Sequence, residues 1–307
     1  RRQRQMCIRD RHGFIGARMR LPRKIIMGYW QDEPVLRELG LWMRSAVGYA
    51  ESRSLKVMRF GDNMRNVAVT EGDKVEVQIR LGWQVNTWAV GDLVKEMAAV
   101  GGGEIDELVN LYREKYTVCT DDIEAIRYQA REEIAIKHML DREGAKAFTN
   151  TFEDLYGMEQ LPGLASQRLM EQGYGYGGEG DWKTAGMVRV MKLMTAGMKD
   201  AKGTSMLEDY TYNLMKGKEG ILEAHMLEIC PSIADGPISI KCQPLTMGDR
   251  EDPARLVFTS KEGTGIATSL VDLGDRFRLI INTVDCKKTE KPCLLYTSPS
   301  PRDRSLS

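Results

Sequence analysis

The chain predicts an α/β fold that gives way to a β-rich part, and three observations carry that reading. Strand-like and helix-like segments alternate up to about residue 200. A long helical pattern runs from Asp121 to Arg142. Beyond residue 200, short strand candidates follow one another between turns rich in Gly, Pro, Asp and Lys.

In chain order, DEPVLRELGLWMRSAV places Pro34 near a helix start and keeps apolar residues at helical spacing. SLKVMRFG reads as a strand, GDKVEVQIRLG as a helix ending near Gly82, WQVNTWAV as a buried strand, and GDLVKEMAAVGG as a helix stopped by glycines. In the long helix, Ile123, Ile126, Ala130 and Ile134 recur every three or four residues, which predicts one apolar face and a charged face opposite, with Gly144 closing the helix. After residue 200, ILEAHMLEI, ISIKCQPL, RLVFTS, GIATSLVDL and FRLIINTV are strands, expected to be antiparallel, with SKEGTG as a hairpin connection.

With 42% hydrophobic and 29% charged residues, the 307-residue chain can bury a sizeable core. Its apolar runs fall short of the roughly 18–20 residues that span a bilayer, so no membrane segment is expected. Both ends break from their neighbours. RRQRQMCIRDR holds five arginines in eleven residues, and CLLYTSPSPRDRSLS interrupts a strand pattern with Ser, Pro and Arg. Residues 1–11 and 293–307 are therefore expected to be non-native, adapter-like sequence. The first end adds a net +4 and the second +1, leaving about −5 for the interior, which gives no electrostatic footprint for nucleic acid. Away from Cys7 and Cys293, the four remaining cysteines show no CxxC pair and no metal-finger spacing, and a reduced, cytoplasmic setting is expected.

GYGYGGEGDWKTAG, residues 173–186, contains overlapping GxGxxG patterns. A dinucleotide site needs a strand before the glycines, whereas LASQRLMEQG is helical in composition. Asp181 and Trp182 separate Gly180 from Lys183, misplacing a phosphate lysine, and Glu179 with Asp181 would repel a polyphosphate. The glycines instead allow a sharp turn that places Glu179 before a helix, where it can point into a cleft or cap the helix dipole.

The ordered blocks RFGDNM, VNTWAVGDLV, FEDLYGMEQLPGLASQRLMEQGYGYGGEGDWKTA, EDYTY, HMLEICPSI and DLGDRFRL resemble the L-arabinose isomerase family across nearly all of residues 12–292. That resemblance implies a fucose isomerase-like α/β domain followed by an incomplete antiparallel β-barrel-like C-terminal domain. Residues 12–55 would end an N-terminal α/β domain, 56–200 form the central α/β domain, and 201–292 a truncated C-terminal β domain. It further implies a homo-oligomer that converts L-arabinose to L-ribulose, with one divalent metal per site, typically Mn2+ with Co2+ or Mg2+ as alternatives. Glu179 of GEGDWKTA, Glu208 of EDYTY and His225 of HMLEICPSI match the family's metal ligands, and the two glutamates its acid/base pair. Met64 of RFGDNM and Phe152 of TFEDL match sugar-site residues. The family's fourth ligand, a histidine, has no counterpart, since His12 and His138 lie in unrelated segments.

The chemistry agrees with that set. Moving a carbonyl from C1 to C2 needs a proton removed beside the carbonyl and returned to its neighbour through an enediol, work suited to paired carboxylates, with a cation polarising the carbonyl. Taken without the resemblance, His225 also fits a satisfied core histidine, Glu208 beside Asp209 an acidic turn, and Met64 and Phe152 ordinary core. With one ligand missing, the chain is expected to have little or no isomerase activity, and the competing reading is a truncated, non-catalytic sugar- or metal-binding protein.

Overall fold

The computed structural model describes residues 2–20, 23–199, 201, 203–245 and 250–288. The expectation for 293–307 lies outside them. Two compact units divide at Ala50, Arg1–Ala50 and Glu51–Ser307. Helix α1 (Arg2–Arg18) lies in the first, and α2 (Glu33–Ser52) begins there with Pro34 in its first turn, where a missing N–H costs nothing.

The second unit is built on a parallel sheet of β1 (Lys56–Phe60), β2 (Gln84–Trp88), β4 (Ala147–Asn150) and β5 (Gly175–Gly177), in the order β2-β1-β4-β5. Strand alternation sends side chains to two faces. Val57 and Ala147 join a core with α3 (Lys74–Leu81) and α8 (Trp182–Thr195). Met58, Phe60 and Phe148 join another with α4 (Val90–Ala99), α6 (Ile123–Glu143) and α7 (Gly163–Glu171). Helix ends follow local chemistry. Asp73 and Asp122 accept backbone N–H groups at the starts of α3 and α6, and Gly82 and Gly144 close them in the left-handed conformation.

A third core packs α5 (Gly102–Lys115), α6 and α7 against a sheet of β3 (Thr117–Val118), β8 (Ser239–Cys242) and β9 (Ala254–Val257). β3 pairs β8 in parallel, while β8 and β9 are antiparallel. The remaining strands form two antiparallel hairpins, β6 (Asp209–Asn213) with β7 (Gly220–Ala224), and β10 (Gly263–Asp272) with β11 (Phe277–Cys286).

Four expectations need correction. WQVNTWAV is not buried throughout, because β2 is the edge strand of its sheet, with Asn86 and Thr87 exposed. SKEGTG is not a hairpin turn, because β9 bonds to β8 and β10 to β11; the hairpin turn lies at Leu273–Arg276, where Gly274 has φ +86°. The strand read through His225 ends at Ala224. Charged residues do not stay on one outer face of α6, for Glu132 and Glu133 are buried beside the apolar positions. Neighbouring helices on more than one side make this so. Tyr112 Oη of α5 and Gln172 Nε2, just past α7, each donate to Glu133 at 2.6 Å.

Candidate active site

Loops at the carboxyl ends of β1, β4 and β5 lie together because the strands are parallel, and β2 and β4 flank β1 on opposite sides, so the chain changes direction between β1 and β4. Such a reversal opens a crevice at the strands' carboxyl ends, the usual place for a ligand in open α/β sheets. Met64 follows β1, Phe152 follows β4, and Glu179 follows β5. Hydrogen bonds from backbone N–H groups tie these loops. Met64 N–H donates to Glu179 O at 2.9 Å, Gly180 N–H to Asn150 O at 2.9 Å, and Arg65 N–H to Glu153 Oε2 at 2.8 Å. Met64 is buried and Phe152 packs half-buried against the central core.

The glycine segment is itself strand, turn and helix, with β5 formed by GYG. Glu179 sits in the left-handed region at φ +55°, a conformation disfavoured for a residue with a Cβ. Asp181, not Glu179, caps α8, its Oδ1 accepting from Lys183 N–H at 2.9 Å and Thr184 N–H at 3.2 Å. Lys183 is buried, donates to Thr70 O and Glu71 O at 2.8 and 2.6 Å, and lies 3.2 Å from Asp181 Oδ1. This fastens the loop after β1 to the start of α8. A Cβ on Gly180, at φ +83°, would stand 2.6 Å from backbone atoms of Asp62 and Asn63.

Glu208 and His225 come from the open end of the β6–β7 hairpin, one residue outside the pairing of Asp209 with Ala224. They meet the glycine turn directly. A Cβ on Gly178 would lie 2.6 Å from Glu208 Oε2 and 3.2 Å from the His225 ring, so any larger residue there would push the Glu208 carboxyl away from the turn. His225 Nε2 lies 3.8 Å from Glu208 Oε2. Both Glu208 oxygens are shut off from solvent and have no hydrogen-bond partner among the described residues. Burial, opposed by His225 and assisted by Asp181, Glu179 and Glu228, pushes the Glu208 carboxyl up to about 8.

The structure thus gathers Glu179, Glu208 and His225 around one turn, with Met64 and Phe152 on the adjoining loops. His138 lies elsewhere, 3.7 Å from Glu96 and 3.5 Å from Glu104. Three residues that sequence reasoning missed also serve the site. Glu228 Oε2 is 2.5 Å from His225 Nδ1, Tyr176 Oη donates to Glu228 Oε1 at 3.1 Å, and Asn150 Oδ1 lies 3.3 Å from the same hydroxyl. The H-x-x-E spacing of HMLE was the one local signal for Glu228.

Among the described residues, no three His, Cys, Asp or Glu side chains form a ready-made metal cluster. The donor chemistry nevertheless fits a divalent cation in part. A buried carboxylate lacking donors faces an imidazole whose other nitrogen is held by a second carboxylate, an arrangement typical of the surroundings of metal-bound histidine.

Comparisons with known proteins match this organisation. Models of the L-arabinose isomerase N-terminal, central and C-terminal domains match residues 3–54, 56–197 and 203–295. L-arabinose isomerase 1 of Bacillus licheniformis is 55% identical over 279 residues, covering 90% of this chain and 56% of that protein. The L-arabinose isomerase of Geobacillus stearothermophilus is 55% identical over 285 residues, covering 91% of this chain and 57% of its own length. That of Thermotoga neapolitana is 54% identical over 275 residues, with 89% and 55% covered. The chain spans somewhat more than half the length of these relatives. With three consecutive domain models of one enzyme matched in order along it, the chain belongs to the L-arabinose isomerase family.

Proposed function

We propose that this chain carries part of the active site of an aldose–ketose isomerase that interconverts L-arabinose and L-ribulose. The observation that carries the reading is the Glu208 carboxyl, buried without a donor beside His225 and the Glu179 turn. Glu179, Glu208 and His225 would hold one divalent cation, with Mn2+ favoured by mixed carboxylate and imidazole donors and Co2+ or Mg2+ also accepted. When bound, such a cation supplies polarisation of the sugar's carbonyl.

The residues do the remaining work. Glu179 and Glu208 act as the acid/base pair, one taking the proton from the carbon beside the carbonyl and the other returning a proton to its neighbour as the sugar passes through an enediol. Burial pushes the Glu208 carboxyl up to about 8 in the metal-free chain, and that proton would have to be lost for Glu208 to hold a cation. The turn's bonds to Asn150 and Met64 set the direction of Glu179. Met64 and Phe152 form apolar walls that exclude water from the proton-transfer path.

The parallel sheet supports the fucose isomerase-like arrangement of the central part, and the antiparallel pairs β6–β7, β8–β9 and β10–β11 support a β-barrel-like C-terminal part. Cys119, Cys230, Cys242 and Cys286, free among the described residues, support a reducing cytoplasmic setting. No helix among the described residues is long and apolar enough to cross a membrane. A homo-oligomer follows from the family resemblance.

With no fourth ligand matched, the chain alone is proposed to bind the cation weakly and to turn over little or no sugar. The same observation favours a second reading, a non-catalytic metal- or sugar-binding protein. Titration of the purified chain with Mn2+, followed by a ketose assay on L-arabinose, decides between these. Mn2+ binding lost in Glu208→Gln and His225→Asn supports the site; binding unchanged in both sinks it. Robust Mn2+-dependent ketose formation would overturn the expectation of inactivity.

A further inference from the structure

We propose that Glu228 is a positioning residue that locks His225 as the Nδ1–H tautomer and so reserves Nε2 as the nitrogen facing Glu208. The inference rests on the reading of His225 as a ligand only for its consequence, not for its geometry.

Both oxygens of Glu228 are engaged. Oε1 accepts from the Tyr176 hydroxyl at 3.1 Å, and Oε2 sits 2.5 Å from His225 Nδ1. A carboxylate has lone pairs and no proton to give, so a hydrogen bond between Oε2 and Nδ1 must take its proton from the ring. In a neutral imidazole the lone pair then falls on Nε2, the atom 3.8 Å from Glu208 Oε2.

The framework around the pair is rigid. Tyr176 lies in β5 with its side chain buried, and Glu228 is buried as well. The turn that carries Glu228 is pinned on three sides. Gln167 Nε2 donates to Ile229 O at 2.9 Å, Cys230 N–H to Ser205 Oγ at 2.8 Å, and Arg255 Nη1 to Met226 O at 3.1 Å. The polar string continues from Tyr176 to Asn150, whose carbonyl accepts the Gly180 N–H. One buried chain of contacts therefore runs from the His225 ring to the turn of Glu179. Substituting Glu228 removes the acceptor at Nδ1 while leaving the Glu179 and Glu208 side chains in place, and it also removes one of the charges that raise the Glu208 carboxyl.

The test is 15N NMR of the full chain with ring-labelled histidine. Three histidines, His12, His138 and His225, give three ring systems to assign. At a pH alkaline enough that the shifts show neutral rings, His225 is expected to show a protonated Nδ1 and an unprotonated Nε2. Glu228→Gln is expected to lose that fixed pattern and to weaken Mn2+ binding about 10–100-fold, with Tyr176→Phe weakening it less. Circular dichroism checks that each variant is folded, and the wild-type measurement stands whether or not they are. An Nε2–H tautomer in the wild type overturns the proposal, as does a folded Glu228→Gln chain with unchanged tautomer and Mn2+ affinity. A wild-type chain that shows the Nδ1–H tautomer but binds no Mn2+ supports the positioning role and overturns the ligand reading instead.

Discussion

The candidate site joins two regions held in opposite ways. The turn of Glu179 is enclosed, with Gly178 against Glu208 and His225, Gly180 against the backbone of Asp62 and Asn63, and Lys183 tied to the loop after β1. The β6–β7 hairpin that brings Glu208 and His225 is open. Tyr210, Tyr212, Ile221 and Leu222 are all exposed, and only the base of the hairpin enters the protein. Close packing is thus concentrated at the turn that holds Glu179 at φ +55°, while Glu208 and His225 arrive on an arm fixed at its root. The difference teaches that the exactness of such a site resides in its turn and in the anchors at the hairpin's base, not in the hairpin's length.

Changes in charge at the hairpin's base should have the largest effect. Glu208 is held up to about 8 from an ordinary value of 4.5. Between those values the folded chain keeps a proton that the unfolded chain has lost. Its favourable contribution is complete below 4.5 and gone above about 8, so stability falls as pH rises, by on the order of a few kcal/mol. Urea midpoints taken across that range with a chelator present should show the slope, and Glu208→Gln should remove it. An identical slope in both chains would count against a buried, protonated Glu208.

On the enclosed side, Gly180→Ala forces a Cβ to 2.6 Å from backbone atoms in a left-handed conformation. A loss of about 1–3 kcal/mol in chemical denaturation is expected; a loss below about 0.5 kcal/mol would mean the turn yields. Glu179→Gly should act in the other direction, relieving φ +55° and raising stability by up to about 1 kcal/mol while ending the proposed catalysis. Reduced thermal stability in that variant would show that the Glu179 side chain contributes more to folding than its strain takes away. The smallest effect belongs to the open arm, where Tyr212→Ser should change the melting free energy by no more than about 0.5 kcal/mol. A larger change would mean that the outer face of the hairpin is covered.

Much of the fold was legible because its signals are local. Asp73 with Gly82, and Asp122 with Gly144, mark both ends of their helices within the sequence itself. Segments with poor local signals were missed. α5 opens with two glycines behind a third, Gly101, at its N-cap, and AFTN and GYG are short strands whose character comes from the neighbours that pair with them. Glu132 and Glu133 misled because charged residues normally face water, and only tertiary neighbours put them inside. At the site, the family-matched residues were found through ordered blocks, since no local spacing links Glu179, Glu208 and His225. Glu228 stood beside His225 unnoticed. An acidic residue three positions from a histidine becomes informative only once the turn is known to fold both side chains together. Asp181, two residues on, takes the capping role that sequence alone left open for Glu179.

The parallel pairing of β3 with β8 has a consequence for the order in which the chain can fold. Thr117–Val118 must wait for Ser239–Ile240 before that sheet exists, and the third core draws on Ile240, Ala254 and Leu256 to cover α5, α6 and α7. During synthesis those helices emerge before Ile240, Ala254 and Leu256, which complete their core. Contacts so distant in sequence slow the final closure. That sheet and the third core therefore depend on contacts between residues more than a hundred positions apart.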